Sequence, residues 1–86
     1  MNISVELTFS PLQDDFEQHI IGFIKKLRDS DLTILENPLS TQVYGPYDKV
    51  MGVLNTEIKT AFELMEKGLL YMKIVKSDRS TYEPHF

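Results

Sequence analysis

Leu35-Glu36-Asn37-Pro38-Leu39-Ser40-Thr41-Gln42-Val43-Tyr44-Gly45 reads as a hairpin with hydroxyl and amide side chains crowded at its bend. Leu32 to Glu36 is rich in β-branched and apolar residues, the signature of a short strand. Asn37-Pro38 is turn chemistry, because proline presets φ for the bend. Ser40 to Tyr44 is the return strand, with Thr41 and Val43 on one side and Gln42 and Tyr44 on the other. A hairpin in mid-chain, flanked on each side by one helical and one strand pattern, decides the fold class.

Upstream, Ile3, Val5, Leu7 and Phe9 alternate with Asn2, Ser4, Glu6 and Thr8. That period of two marks a strand over 2–10 with one buried face, ended by Pro11, which cannot donate to a ladder. Asp14 stands three residues before Glu17, the spacing of a capping box. Phe16, Ile20, Phe23, Ile24 and Leu27 form one apolar stripe, and Lys25, Lys26 and Arg28 sit where the dipole favours cations. The spacing predicts a helix over 14–29.

Downstream, Pro46 fits the first position of a second helix. Tyr47, Val50, Met51, Leu54, Ile58, Ala61, Phe62 and Met65 trace its apolar stripe, and Lys67-Gly68 supplies a stop. The last strand covers 69–76, with Leu70, Met72 and Ile74 inward and Tyr71, Lys73 and Val75 outward. Tyr82 and Phe86 are the apolar residues of an otherwise polar tail.

Strand, helix, strand, strand, helix, strand is an α+β, ferredoxin-like βαββαβ sandwich. Two right-handed crossovers place both helices on one face of a four-stranded antiparallel sheet. Eighty-six residues suffice for one domain spanning 1–86. No apolar run approaches the ~20 residues of a membrane span, and Met1 to Glu6 shows neither basic region nor cleavage site. Cysteine is absent, which excludes disulfides and thiolate metal sites. A cytoplasmic protein is the expectation.

The net charge is −4, and the lysines are scattered among carboxylates, a balance that argues against a nucleic-acid surface. Tyr44 and Tyr71 share the open sheet face as RNA-stacking aromatics do, but Glu6 lies beside them. His19 and His85 have no carboxylate spacing suited to a metal. Ser10 and His19 come without a nucleophile elbow or oxyanion loop.

In this topology the end of the first strand lies beside the hairpin bend and the start of the first helix. Ser10, Asp14, Asp15, Asn37, Ser40 and Thr41 therefore converge at one end of the sheet. Thr41 shares a side with Val43, toward the gap between sheet and helices, where a flat ring could enter. A mostly apolar cleft with a few convergent polar groups is the ordinary form of a ligand site. The plain alternative gives Asp14 and Asp15 to helix capping and Ser40 and Thr41 to turn amides.

The segments from Leu7 to Phe16 and from Leu39 to Val50, with Leu70 to Ile74 and Ser77-Asp78-Arg79, resemble the YkoF-like thiamine/hydroxymethylpyrimidine-binding family. The resemblance spans nearly the whole chain. It implies a non-catalytic binder of thiamine or its hydroxymethylpyrimidine moiety, without a cofactor, acting in salvage or transport as a homodimer or homotetramer. The family's strand hydroxyls fall on Ser40 and Thr41, and its helix-start acids on Asp14 and Asp15. Phe9, Tyr44 and Tyr47 are the nearby rings for stacking, and an aminopyrimidine wants a carboxylate or carbonyl beside a hydroxyl. The competing reading is an oligomeric structural or regulatory module with no metabolite. A mixed, partly aromatic open sheet face is the reason to expect assembly.

Overall fold

The computed structural model describes residues 1–85, so the expectation for Phe86 lies outside the described residues. Ile3, Val5 and Leu7 are each no more than 2% exposed, as their alternation requires, and they form the central strand β1 (Asn2–Pro11). α1 (Phe16–Arg28), β2 (Thr33–Glu36), β3 (Thr41–Pro46), α2 (Tyr47–Glu63) and β4 (Gly68–Val75) follow. The sheet order is β2-β3-β1-β4, antiparallel throughout, with the expected βαββαβ connectivity. Val43 joins the β1 side chains under Phe23 and Leu27 of α1 and Val50, Leu54 and Ala61 of α2. Each such side chain, once fully buried, contributes about 1.5–3 kcal/mol of transfer free energy, against which chain ordering is set.

The boundaries shift in instructive ways. α1 begins at Phe16, not Asp14, and its boundary residue Asp15 makes no side-chain cap. Asp15 is instead held by Gln13 Nε2 and lies 3.3 Å from His19 Nε2, so the Asp14–Glu17 capping box does not form. β1 runs through Pro11, which is paired with Gly68 at the very end of the ladder. α2 ends at Glu63, with the Leu64 N–H reaching the carbonyls of Thr60 and Ala61. Gly68 opens β4 and does not stop the helix; a Cβ there would collide with the Met65 sulfur.

Met72 and Ile74 face the helix side, opposite Leu7 and Val5, as expected. They are nevertheless 42% and 45% exposed, because α2 packs over β3 and β1 and leaves β4 uncovered. The tail turns across the bare sheet face, where the Ser4 hydroxyl donates to the Ser77 carbonyl at 2.6 Å and accepts the Arg79 N–H at 2.9 Å.

Candidate functional site

β3 begins at Thr41, which pairs with Leu7, whereas β1 continues four residues further alongside β4. The bend at 37–40 therefore leaves the sheet where Thr8 and Phe9 carry on without a neighbour on that side. Asn37 shapes the departure: its Oδ1 accepts the N–H groups of Leu39 at 2.8 Å and Ser40 at 2.9 Å. The Asn37 N–H donates to the Ser40 carbonyl at 3.1 Å, which closes the turn. Such an Asx turn satisfies backbone donors that no ladder can reach. Arg28 fixes the approach to the bend, since its Nε and Nη2 donate to the two Glu36 oxygens, both at 2.6 Å.

The gap is a cavity of about 140 Å³. Leu7 and Phe9 form its floor, with Thr8 between them along the strand, Ile20, Phe23 and Ile24 of α1 its roof, and Asn37 to Thr41 its side. Thr41 is the buried polar residue of this lining, at 9% exposure. The Phe9 ring stacks on Phe23 with centroids 4.9 Å apart and has Phe62 behind it at 6.4 Å. Leu39, 84% exposed, stands at the rim. An apolar cavity of about 150 Å³ accepts benzene, so one six-membered ring matches this space.

Four of the anticipated residues, Phe9, Asn37, Ser40 and Thr41, meet at the cavity. Ser40 does so at the bend, while its hydroxyl turns to the bare face and donates to Glu6 Oε2 at 3.1 Å; Gln42 Nε2 donates to it at 2.7 Å. Ser10 does not line the space, because strand alternation places it on the bare face, opposite Leu69. Asp14 and Asp15 are exposed in the loop before α1 and also stand outside it. Tyr44 pairs with Ser4 and Thr33, three strand residues beyond Thr41 or roughly 10 Å away. Tyr47 opens α2 at the far end of the sheet, where its N–H donates to the Met1 carbonyl. Neither tyrosine reaches the cavity.

The residues not singled out beforehand are Leu7, Thr8, Ile20, Phe23, Ile24, Pro38 and Leu39. Most belong to stripes that mark the core, and only the early end of β3 shows that part of the stripe borders a gap. The groups with displaced titration lie elsewhere: hydrogen bonds from Gln13, Lys49, Arg28 and Ser80 hold Asp15, Asp31, Glu36 and Asp78 below the usual carboxylate range. Among the described residues no cluster of three or more histidines or carboxylates is placed to hold a metal. No helix among them is long and apolar enough to cross a membrane.

No protein-family model matches the chain, and no curated protein sequence matches it. Solved structures do. A Streptococcus pneumoniae protein, SP2199, superposes with a TM-score of 0.85 at 22% identity, over 94% of this chain and 92% of that one. A candidate thiamine biosynthesis/salvage protein from Thermotoga maritima gives a TM-score of 0.81 at 16% identity, over 90% and 85%. A Bacillus cereus domain of unknown function, DUF77, gives 0.76 at 15% identity, over 99% and 84%. At these identities the likeness establishes a shared architecture: the chain has the ferredoxin-like fold of these proteins.

Proposed function

We propose that the protein is a non-catalytic binder of thiamine or its hydroxymethylpyrimidine moiety, of the YkoF-like type. The observation that carries this reading is the cavity between β1, α1 and the hairpin bend, with Thr41 as the buried polar residue of its lining and Phe9 stacked on Phe23 nearby. Its volume of about 140 Å³ suits the pyrimidine alone. The thiazolium of thiamine then lies outside, past Pro38 and Leu39 at the rim. Hydroxyl and amide groups are what an aminopyrimidine edge needs for orientation, and the apolar walls supply the burial. The lining contains no carboxylate, histidine or lysine, which favours binding over proton-transfer chemistry. The Thermotoga maritima neighbour, a candidate thiamine biosynthesis/salvage protein, adds support.

The test is thermal unfolding with and without ligand. A ligand that binds only the native state raises the melting temperature by mass action. Hydroxymethylpyrimidine and thiamine at millimolar concentration are expected to do so, and thiazole alone is not. Absence of any shift with both pyrimidines removes the reading.

A further inference from the structure

The hydrogen bonds at the two ends of β1 fix which way each of its peptide groups points. At one end the Tyr47 N–H donates to the Met1 carbonyl at 2.9 Å. Met1 and Tyr47 stand directly opposite each other when the β1–β3 register is carried one residue past Asn2 and Pro46. Directly opposed antiparallel residues alternate between bonded and non-bonded pairs. The bonded pairs between β1 and β3 are therefore Ile3 with Gly45, Val5 with Val43 and Leu7 with Thr41. At the other end the Leu12 N–H donates to the Lys67 carbonyl at 2.9 Å, one residue past the pair of Pro11 and Gly68. The even-numbered residues of β1 thus bond to β4. Both prolines agree: Pro46 opposes Asn2 in a non-bonded pair, and Pro11 turns its missing N–H to a side that has no strand.

Phe9 follows Leu7 by two positions, so its N–H and C=O both point away from β4, toward the place of the next β3 rung. That rung is missing. The register puts Leu39 opposite Phe9, but the Leu39 N–H is taken by Asn37 Oδ1 at 2.8 Å and its side chain is exposed. Among the described residues no backbone hydrogen bond outside the ladders reaches Phe9. The cavity touches Thr8 and Phe9 on one side and Asn37 to Thr41 on the other, so it occupies the space that the missing rung leaves. Backbone donors and acceptors turned away from bulk water require a partner.

We infer, on the pyrimidine-binding reading above, that the N–H and C=O of Phe9 are the specificity-determining groups of the cavity, and that they select a flat ring carrying an acceptor nitrogen next to an amino group. In a bonded antiparallel pair each residue donates one N–H and accepts another. The amino group and neighbouring ring nitrogen of a 4-aminopyrimidine offer the same two bonds, so the ring takes the place of the Leu39 rung. The polarity of this pair is fixed, which sets Phe9 apart from Thr41. A hydroxyl rotates to donate or to accept, so Thr41 tolerates either kind of ring edge. A 4-oxo pyrimidine carries an N–H beside a carbonyl, which sets donor against donor and acceptor against acceptor. It restores the bonds only by turning over, which exchanges its 2- and 5-substituents against the cavity walls.

The test is amide hydrogen exchange, read by NMR on the unmodified chain, with 4-amino-5-hydroxymethyl-2-methylpyrimidine and its 4-oxo analogue as probes. In the free protein the Phe9 amide should exchange fast, between slow neighbours at Thr8 and Ser10 that are bonded to β4. Saturation with the 4-amino compound should slow Phe9 by at least about tenfold, while Thr8 and Ser10 change only as much as global stability does. Titration calorimetry should give the 4-oxo analogue an affinity at least about tenfold weaker, because its edge leaves both Phe9 groups unpaired. If neither probe binds, the pyrimidine reading fails and the role of Phe9 fails with it. If the 4-amino compound binds, but the Phe9 amide is already slow in the free chain or is unchanged by the ligand, the pyrimidine reading stands and the role of Phe9 is overturned. A 4-oxo affinity not weaker by that factor overturns it as well.

Discussion

The Ser40 hydroxyl donates to Glu6 Oε2 at 3.1 Å on the bare face of the sheet, while its neighbour Thr41 is buried against the cavity on the other face. Two adjacent hydroxyls are thereby separated by the pleat, since successive strand side chains point to opposite faces. They have different work. Thr41→Val keeps the β-branched shape and deletes the hydroxyl, so it should fold normally and lose most of the thermal shift given by hydroxymethylpyrimidine. A hydrogen bond of this kind is worth about 0.5–1.5 kcal/mol, roughly a 2- to 12-fold loss of affinity. Ser40→Ala should leave affinity unchanged. Isothermal titration of the two variants side by side decides it, and an equal effect from both would exclude this division of roles.

Asn37 is the hinge of the bend. Its Oδ1 accepts the backbone N–H groups of both Leu39 and Ser40. Asn37→Ala should cost about 1 kcal/mol, which for a domain of this length is ~4–8 °C in melting temperature. Asn37→Asp, which retains the acceptor, should recover most of the loss. Because 37–41 is also one side of the cavity, the alanine variant should weaken ligand binding too, measured as a smaller ligand-induced shift. Parity between the alanine and aspartate variants would show that the Asx turn does not hold the wall.

The hairpin, both helices and the strand order were legible because each rests on period: two for Ile3, Val5 and Leu7, and three to four for Phe23 and Leu27. What period cannot express is coverage. Met72 and Ile74 have the pattern of buried residues and occupy the helix-side face, yet the lateral position of α2 leaves them open. Distance along the sheet was equally hidden. Tyr44 and Tyr47 are near the bend in sequence, but an extended chain carries them to its far end. Asp14 has the capping-box spacing to Glu17, yet the helix starts only after Asp15, whose carboxylate is taken by Gln13 and His19. Ser40 and Thr41 both stand at the bend beside the cavity, and only Thr41 is buried against it.

Acid should unfold the protein through its ion pairs. Arg28 holds Glu36 below its ordinary value of 4.5, chiefly by hydrogen bonding. The unfolded state then binds the proton more readily than the native state. The stabilisation is complete above the unfolded value and drains away as pH falls through the lower folded value. Asp15, Asp31 and Asp78 are lowered as well and act with the same sign. The melting temperature should therefore be flat near neutrality and decline from about pH 5 downward. Glu36→Gln should lower it at pH 7 and flatten the acid limb. A variant whose acid limb stays as steep as wild type would assign the decline to the aspartates.

The tail offers a more local test. Ser4 is 7% exposed, and its hydroxyl both donates to the Ser77 carbonyl and accepts the Arg79 N–H. The two bonds join residues 73 and 75 positions apart and tie the segment that follows β4 to β1. In Ser4→Ala the donor and acceptor are lost together, and the partially buried backbone groups of 77–79 are left to solvent. The cost should be about 1–2 kcal/mol, with the Arg79 amide exchanging its hydrogen far faster than in wild type. Exchange at Val5 and Val43, deep in the ladder, should change only as much as global stability does. If Arg79 exchanges at the same rate in both proteins, the strap is held by something other than Ser4.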